Sequence, residues 1–360
     1  MTTSRKVTYD SSSEFQQALR ARVERYFRMT GRSSRDNLRM YAKTAIILAA
    51  FATIYALLVF AASAWWQAAA LSIGMGVAIA AVGFNVQHDG GHGAYSRVGW
   101  INRLMAFTLD LMGGSSYIWA RKHNVQHHTH TNVAGHDEDI ELGPLARFSP
   151  EQRRFRHHRL QHLYMWPLYA VIVPKWNFQD DWTQLIRGRI GNHKMMRPKG
   201  LELVQFVLGK IVWLTLAFVI PIVLHPVWVV IVCYLIAAGT AGIILSIVFQ
   251  LAHVVEETHF PAPHPETGRI ETPWAIHQVQ TTADFARGNR ALSWFVGGLN
   301  FQIEHHLFPR ICHVHYPKIA RIVEKTCRQH GIRYQAFPTV GAALRSHYRW
   351  LREMGRPLPS

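Results

Sequence analysis

Residues 44–92 read TAIILAAFATIYALLVFAASAWWQAAALSIGMGVAIAAVGFNVQHDGGH, and this stretch decides the fold. Residues 44–62 form an uncharged apolar run, and about 20 such residues cross the hydrocarbon core of a bilayer. Residues 63–67 interrupt it with Trp65 and Trp66, a residue type that anchors at membrane–water interfaces. Residues 68–84 then run back. The two runs predict a tight helical hairpin, so the chain re-emerges on the side it entered. His88 and His92 appear just beyond that exit.

Outward from this hairpin the plan repeats, although no internal sequence repeat is visible. Residues 201–224 and 227–248 form a second pair of apolar runs, joined by a loop that holds Pro226 and no lysine or arginine. Lys210 lies inside the third run, where a lysine is expensive; snorkelling or pairing with Glu202 would relieve it. His253 stands past the end of the fourth run. Residues 97–200 contain no convincing span. Residues 101–119 carry Arg103 and Asp110 and break at Gly113, which reads as an interfacial or half-inserted helix; residues 163–173 are too short to cross. Four crossings in two hairpins put every histidine cluster on one side.

Charge says which side. Arg5, Lys6, Arg20, Arg22, Arg25, Arg28, Arg32, Arg35, Arg39 and Lys43 precede the first run, and the next positive residue is Arg97. Basic flanks around charge-free runs make the histidine side cytoplasmic, and the expected location is a bacterial inner membrane. The net charge of +17 therefore reflects membrane topology and not a nucleic-acid partner; it also suits an anionic leaflet or a phosphate-bearing substrate. Charged residues make up 17% of the chain, against about 25% in globular proteins. Cys233, Cys312 and Cys327 form no CxxC pair and no disulfide framework, which fits a reducing compartment. No cleavable signal peptide is expected before residue 40. The chain divides into a basic cytoplasmic segment (1–43), a membrane domain (44–350) and a tail (351–360). Within the first, Phe15, Leu19, Val23 and Phe27 recur every fourth residue, predicting an amphipathic helix that lies on the membrane or packs on the domain.

Twenty-two residues are histidine. His88 with His92, and His123 with His127, stand four apart, so each pair shares a helix face; His128 follows, and Gln302, His305 and His306 form a third cluster. Neutral imidazole suits zinc, copper, iron and nickel. Eight histidines and a glutamine exceed the four ligands of a structural zinc, and lack the thiolates of an iron–sulfur cluster. The residues themselves point to a histidine-rich dinuclear site at a membrane face.

HDGGHGAYS (88–96), HNVQHHTHTN (123–132) and QIEHHLFPRICHVHYP (302–317) resemble the three histidine boxes of membrane fatty-acid desaturases. The glutamine-led third box is similar to the front-end, delta-6-like branch, here without a fused cytochrome b5 domain. The resemblance covers residues 40–350 and implies an all-α integral membrane protein, with a cytoplasmic helical cap holding a di-iron site above the four transmembrane helices. It implies two iron ions ligated by His88, His92, His123, His127, His128, His305 and His306, with His253 as an extra ligand and Gln302 where other branches have histidine. It further implies O2 as oxidant and a cis double bond placed in a long-chain acyl-CoA or acyl lipid. Electrons would come from a separate ferredoxin or cytochrome b5 and its reductase.

A hydroxylase or ketolase built on the same boxes is the alternative. A metal transporter is disfavoured, since transport sites lie at the bilayer midplane and these histidines lie past the span ends. His130 and His277 are read as non-ligands. His136, His313 and His315 are expected in supporting roles, and His157, His158, His162, His193, His259 and His264 at the surface. Asp89, Asp137, Asp139, Glu256 and Glu304 are candidates to orient ligating histidines. Asn132 and Asn300 resemble family residues without an assigned role.

Overall fold

Four helices among the described residues are long and apolar enough to cross a membrane: Leu38–Phe60, Trp65–Gly91, Leu201–Leu224 and Val227–His253. The computed structural model describes residues 7–357; Arg5, Lys6 and positions 358–360 lie outside the described residues. The first, second and fourth helices extend past the apolar runs that predict them toward the histidine end, and the third keeps the bounds of its run. The first begins at Leu38 because the Asn37 side chain caps it, accepting from the Arg39 N–H at 3.0 Å. The second continues through Gly83–Gln87 into His88–Gly91, and the fourth ends on His253 itself. His88 is therefore carried on the second span's own continuation, and not on a loop after it.

At the other end, Trp65 and Trp66 are exposed at the first hairpin's tip, as interface anchors should be. His225 Nε2 donates to the Val59 carbonyl at 2.7 Å and ties the two hairpin tips together. The second and fourth spans make the central contact. A Cβ on Gly76 would lie 2.4 Å from the Ala237 carbonyl oxygen, so only glycine allows these backbones to approach this closely.

Lys210 does not pair with Glu202. Its Nζ is buried and meets Asp181 at 2.8 Å and the Gly113 carbonyl. Asp181 comes from the segment between the hairpins, which folds back against the third span. A buried ammonium is tolerable only when so partnered.

The remainder is mostly helical. Glu14–Thr30 buries Phe15, Leu19 and Val23 against Ile319, Val323 and Cys327 of Tyr316–Gln329, so its apolar face packs on the domain and not on lipid. Arg22 adds a 2.8 Å bond to Thr326. Val340–Met354 packs Trp350, Leu351 and Met354 against Phe148 and Met165. Three two-stranded ladders complete the cap, including Thr8–Asp10 beside Arg269–Pro273. The cysteines are unpaired.

Candidate metal centre

The three histidine clusters and His253 converge. One ring nitrogen from each of His88, His92, His123 and His305 lies within 4.8 Å of the others. His127, His253 and His306 form a second group of the same tightness, and His128 joins His305 and His306 in a third that lies between. Ring centroids are 4.5 Å apart for His88 and His305, and 4.2 Å for His128 and His306. All nine residues expected at the site are therefore brought together, Gln302 included: its Nε2 lies 2.9 Å from His253 Nε2, and its Oε1 is buried without a partner.

Backbone irregularity explains how the second cluster presents three rings. In a regular α-helix residue i+5 sits about 140° round from residue i. Residues Ala120–His127 form a π-helical turn instead, and the His128 N–H bonds the His123 carbonyl at 3.0 Å. An i→i+5 ladder sets residues four and five apart on either side of one line, so His123, His127 and His128 share a face. A second such turn, Gly83–Gln87, precedes His88 and adjusts its rotation. A Cβ on Gly91 would lie 2.2 Å from the Trp119 ring, which stacks on His123 at 4.6 Å and covers the first group.

The rings are arranged so that their free nitrogens could take a metal ion. His92, His123, His127, His305 and His306 leave Nε2 buried without a hydrogen-bond partner, and His128 leaves both nitrogens so. Such groups are costly unless an ion takes the lone pairs. Burial, reinforced by neighbouring imidazoles, holds His92, His128, His305 and His306 well below the ordinary histidine range, so they are neutral and able to ligate. His127 moves the other way: burial opposes its charge, but the carboxylates of Asp137 and Asp139 together outweigh burial. His127 Nδ1 donates to Asp137 at 3.0 Å and His306 Nδ1 to Gln278 Oε1 at 2.8 Å. His123 Nδ1 lies 3.5 Å from Asp139, and His305 Nδ1 lies 3.2 Å from the Tyr316 hydroxyl. Each contact leaves Nε2 to face the cluster. This donor set could hold two metal ions.

A family model described as "Fatty acid desaturase" matches residues 63–338. The chain belongs to the fatty acid desaturase family. This desaturase is 39% identical over 357 residues to a protein of Synechocystis sp. named sn-1 linoleoyl-lipid 6-desaturase, covering 99% of each chain. It is 40% identical over 354 residues to a protein of the same name from Arthrospira platensis, covering 98% of this chain and 95% of that one. An acyl-lipid (8-3)-desaturase of Physcomitrium patens is 37% identical over 352 residues, 96% of this chain and 72% of that one. The family makes the protein an oxidoreductase of lipid acyl chains.

Other candidates in the desaturase separate cleanly. His130 and His277 stay outside the groups; burial first, then nearby imidazoles in the case of His130, pushes them down to about 4 and about 3. Asp89 supports no histidine of the three groups and instead meets His313 Nδ1 at 2.7 Å. Glu256 pairs with Arg349 in the open, and Glu304 is buried toward Tyr334 and Asp284. His158 is not at the surface: it is buried, with Nε2 2.8 Å from the Pro144 carbonyl. Asn132, at φ 60°, donates from Nδ2 to the carbonyls of His253, His259 and Thr281 and from its backbone to Asp137. It pins three segments beneath the site. Asn300 donates to the Phe285 carbonyl. Gln278, Tyr316 and Trp119 were not visible as site residues in the sequence. Gln278 adjoins His277 in WAIHQVQTT, and a lone glutamine there carries no ligand signature.

Proposed function

We propose that this protein uses two irons and O2 to introduce a cis double bond at position 6 of a lipid-linked acyl chain. The carrying observation is the pair of adjacent imidazole groups joined through His128. We assign His88, His92, His123 and His305 to one iron and His127, His253 and His306 to the other, with His128 between them and the Gln302 amide beside His253. The names of the similar proteins support the lipid-linked substrate and position 6.

Desaturation converts –CH2–CH2–, O2, two electrons and two protons into –CH=CH– and two waters. Bound iron supplies the reduction of O2 and the removal of hydrogen. The protein's residues hold and orient. Asp137, Asp139, Gln278 and Tyr316 fix the tautomers of four rings, and burial keeps water away. Segment 101–119 and the span ends form the acyl path in this reading, because an unactivated chain offers no polar handle and must be positioned by apolar walls. Electrons arrive from a ferredoxin or cytochrome b5. Residues 44–350 constitute the catalytic unit, with the site on the cytoplasmic side of a bacterial inner membrane; the basic segments at the histidine end support that orientation.

The test is expression in a host without polyunsaturated lipids, with products mapped by mass and double-bond position. A product lighter by two hydrogens and unsaturated at carbon 6 is expected, absent with His305→Ala. A product heavier by one oxygen would overturn the reading in favour of hydroxylation.

A further inference from the structure

Beside the third histidine box lies a cavity of about 840 Å³ with a one-sided charge. Arg39, Lys43, Arg287, Arg290, Lys318 and Arg321 line it, and among the described residues the only acid in its wall is Glu324. Arg287 takes up that acid at 3.0 Å, with Arg328 at 3.7 Å. Arg39, Arg290, Lys318 and Arg321 form no ion pair among the described residues, so the cavity holds uncompensated positive charge. The remaining wall is mostly apolar, with Ser293 and His313 as its polar members, Trp294 half-exposed and Lys43 Nζ 5.1 Å from its ring centre.

Depth defines the ligand class. Arg39 and Lys43 stand in the first turns of the span Leu38–Phe60, immediately before its charge-free run. Basic side chains and a tryptophan at that level mark the lipid headgroup layer. The cavity is also joined to the metal centre. Phe301 in its wall accepts the His305 N–H at 3.1 Å, and His313 bridges Lys43 at 3.1 Å to Asp89 at 2.7 Å. Its volume falls within the ~300–1,000 Å³ of small-molecule sites, whereas a carrier protein docks on a surface it can cover.

We propose that this cavity binds the anionic, phosphate-bearing headgroup of the acyl-lipid substrate. A headgroup held there sets a constant offset between the ester and the histidine groups, so carbons are counted from the carboxyl end. The inference rests on the lipid-linked reading above. It makes the site selective for anionic phospholipid over neutral, phosphate-free glycolipid.

The experiment uses purified full-length protein in non-ionic detergent, with its electron-donor system. Linoleoyl-phosphatidylglycerol and linoleoyl-monogalactosyldiacylglycerol are compared for kcat/KM, and for retention by native mass spectrometry, in wild type and in Arg290→Gln/Lys318→Gln. Wild type is expected to prefer phosphatidylglycerol, and the variant to lose about tenfold of that preference through KM, since two charge-assisted contacts go. Arg290→Lys should restore part of it. Iron content and melting temperature confirm folding. An unchanged preference overturns the proposal, as does a rise confined to the KM for the electron donor, which would make the cavity a carrier dock. Inorganic phosphate displacing phosphatidylglycerol at millimolar concentration would overturn it in favour of a free-phosphate site. If wild type forms no double bond yet retains phosphatidylglycerol over galactolipid, and the variant does not, the headgroup site stands and the desaturation reading falls.

Discussion

The two halves of the histidine cluster use the same ligand type under different restraint. His127, His253 and His306 are fully buried, and two of them are held by short contacts, at 3.0 Å to Asp137 and 2.8 Å to Gln278. In the other half His88, His92 and His123 are each 8% exposed, and the supports to His123 and His305 are longer, at 3.5 and 3.2 Å. Each half also carries an aromatic ring, Trp119 stacked on His123 at 4.6 Å and Phe249 tilted against His253 at 4.6 Å, so the aromatic cover does not distinguish them. In the proposed reading, charge and depth thus anchor one metal position, while the other sits nearer the rim, where substrate and O2 would arrive. If so, the halves should fail separately when their supports are removed and together when a shared ligand is removed.

His305→Ala carries the largest expected effect, because His305 belongs to the first group and also to the set with His128 and His306. Both irons should be lost and desaturation abolished; metal analysis of folded protein checks this, and retention of a full iron complement would show that His305 is not shared. Next comes Asp137→Asn. Loss of an outer-sphere carboxylate costs about 10–100-fold in metal affinity. Asp137 also accepts from the Asn132 and Asp139 backbones, so this half has no substitute for it. One iron should leave first, seen as loss of one of two Mössbauer doublets. Asp139→Asn, acting across 3.5 Å on an already looser ring, should cost less. Equal losses would erase the distinction between the halves.

Much of this was legible in the chain, for identifiable reasons. Charge-free runs of spanning length admit few folds, so two hairpins with histidines at one end followed from counting. The cap helix 14–30 was legible as amphipathic, but not what its apolar face met, since Phe15 and Leu19 would suit lipid or protein alike. The nine converging residues were named from their resemblance. Their division into halves was not, because it depends on the π-helical turn at Ala120–His127, and no residue type in ARKHNVQH announces an i→i+5 ladder. Lys210 shows the same limit. Its sequence neighbour Glu202 was the visible partner, while Asp181 arrives from a remote segment that only tertiary folding brings near.

Gln302 tests whether the buried half needs a fourth donor. Its side chain reaches His253, and its Oε1 has no other partner. Gln302→Ala should weaken the second iron by about tenfold, the scale of one interaction near 1.4 kcal/mol. Gln302→His should retain iron and shift the Mössbauer parameters of that doublet alone, since imidazole replaces an amide. If Gln302→Ala left iron content and both doublets unchanged, the amide would be packing and the half would be complete with imidazoles.

The smallest expected effect is Tyr316→Phe. The hydroxyl lies 3.2 Å from His305 Nδ1 and is neutral, so its removal costs about 1 kcal/mol, the net worth of an ordinary hydrogen bond. Stoichiometry should therefore hold at ordinary iron concentration, while competition with a chelator should release iron from the first half a few-fold faster. Because Tyr316 is buried against His305 and nowhere touches the second group, the Asp137-supported iron should be unaffected. Faster loss from both halves would mean that His305 transmits its orientation across His128, and that the two positions are mechanically one.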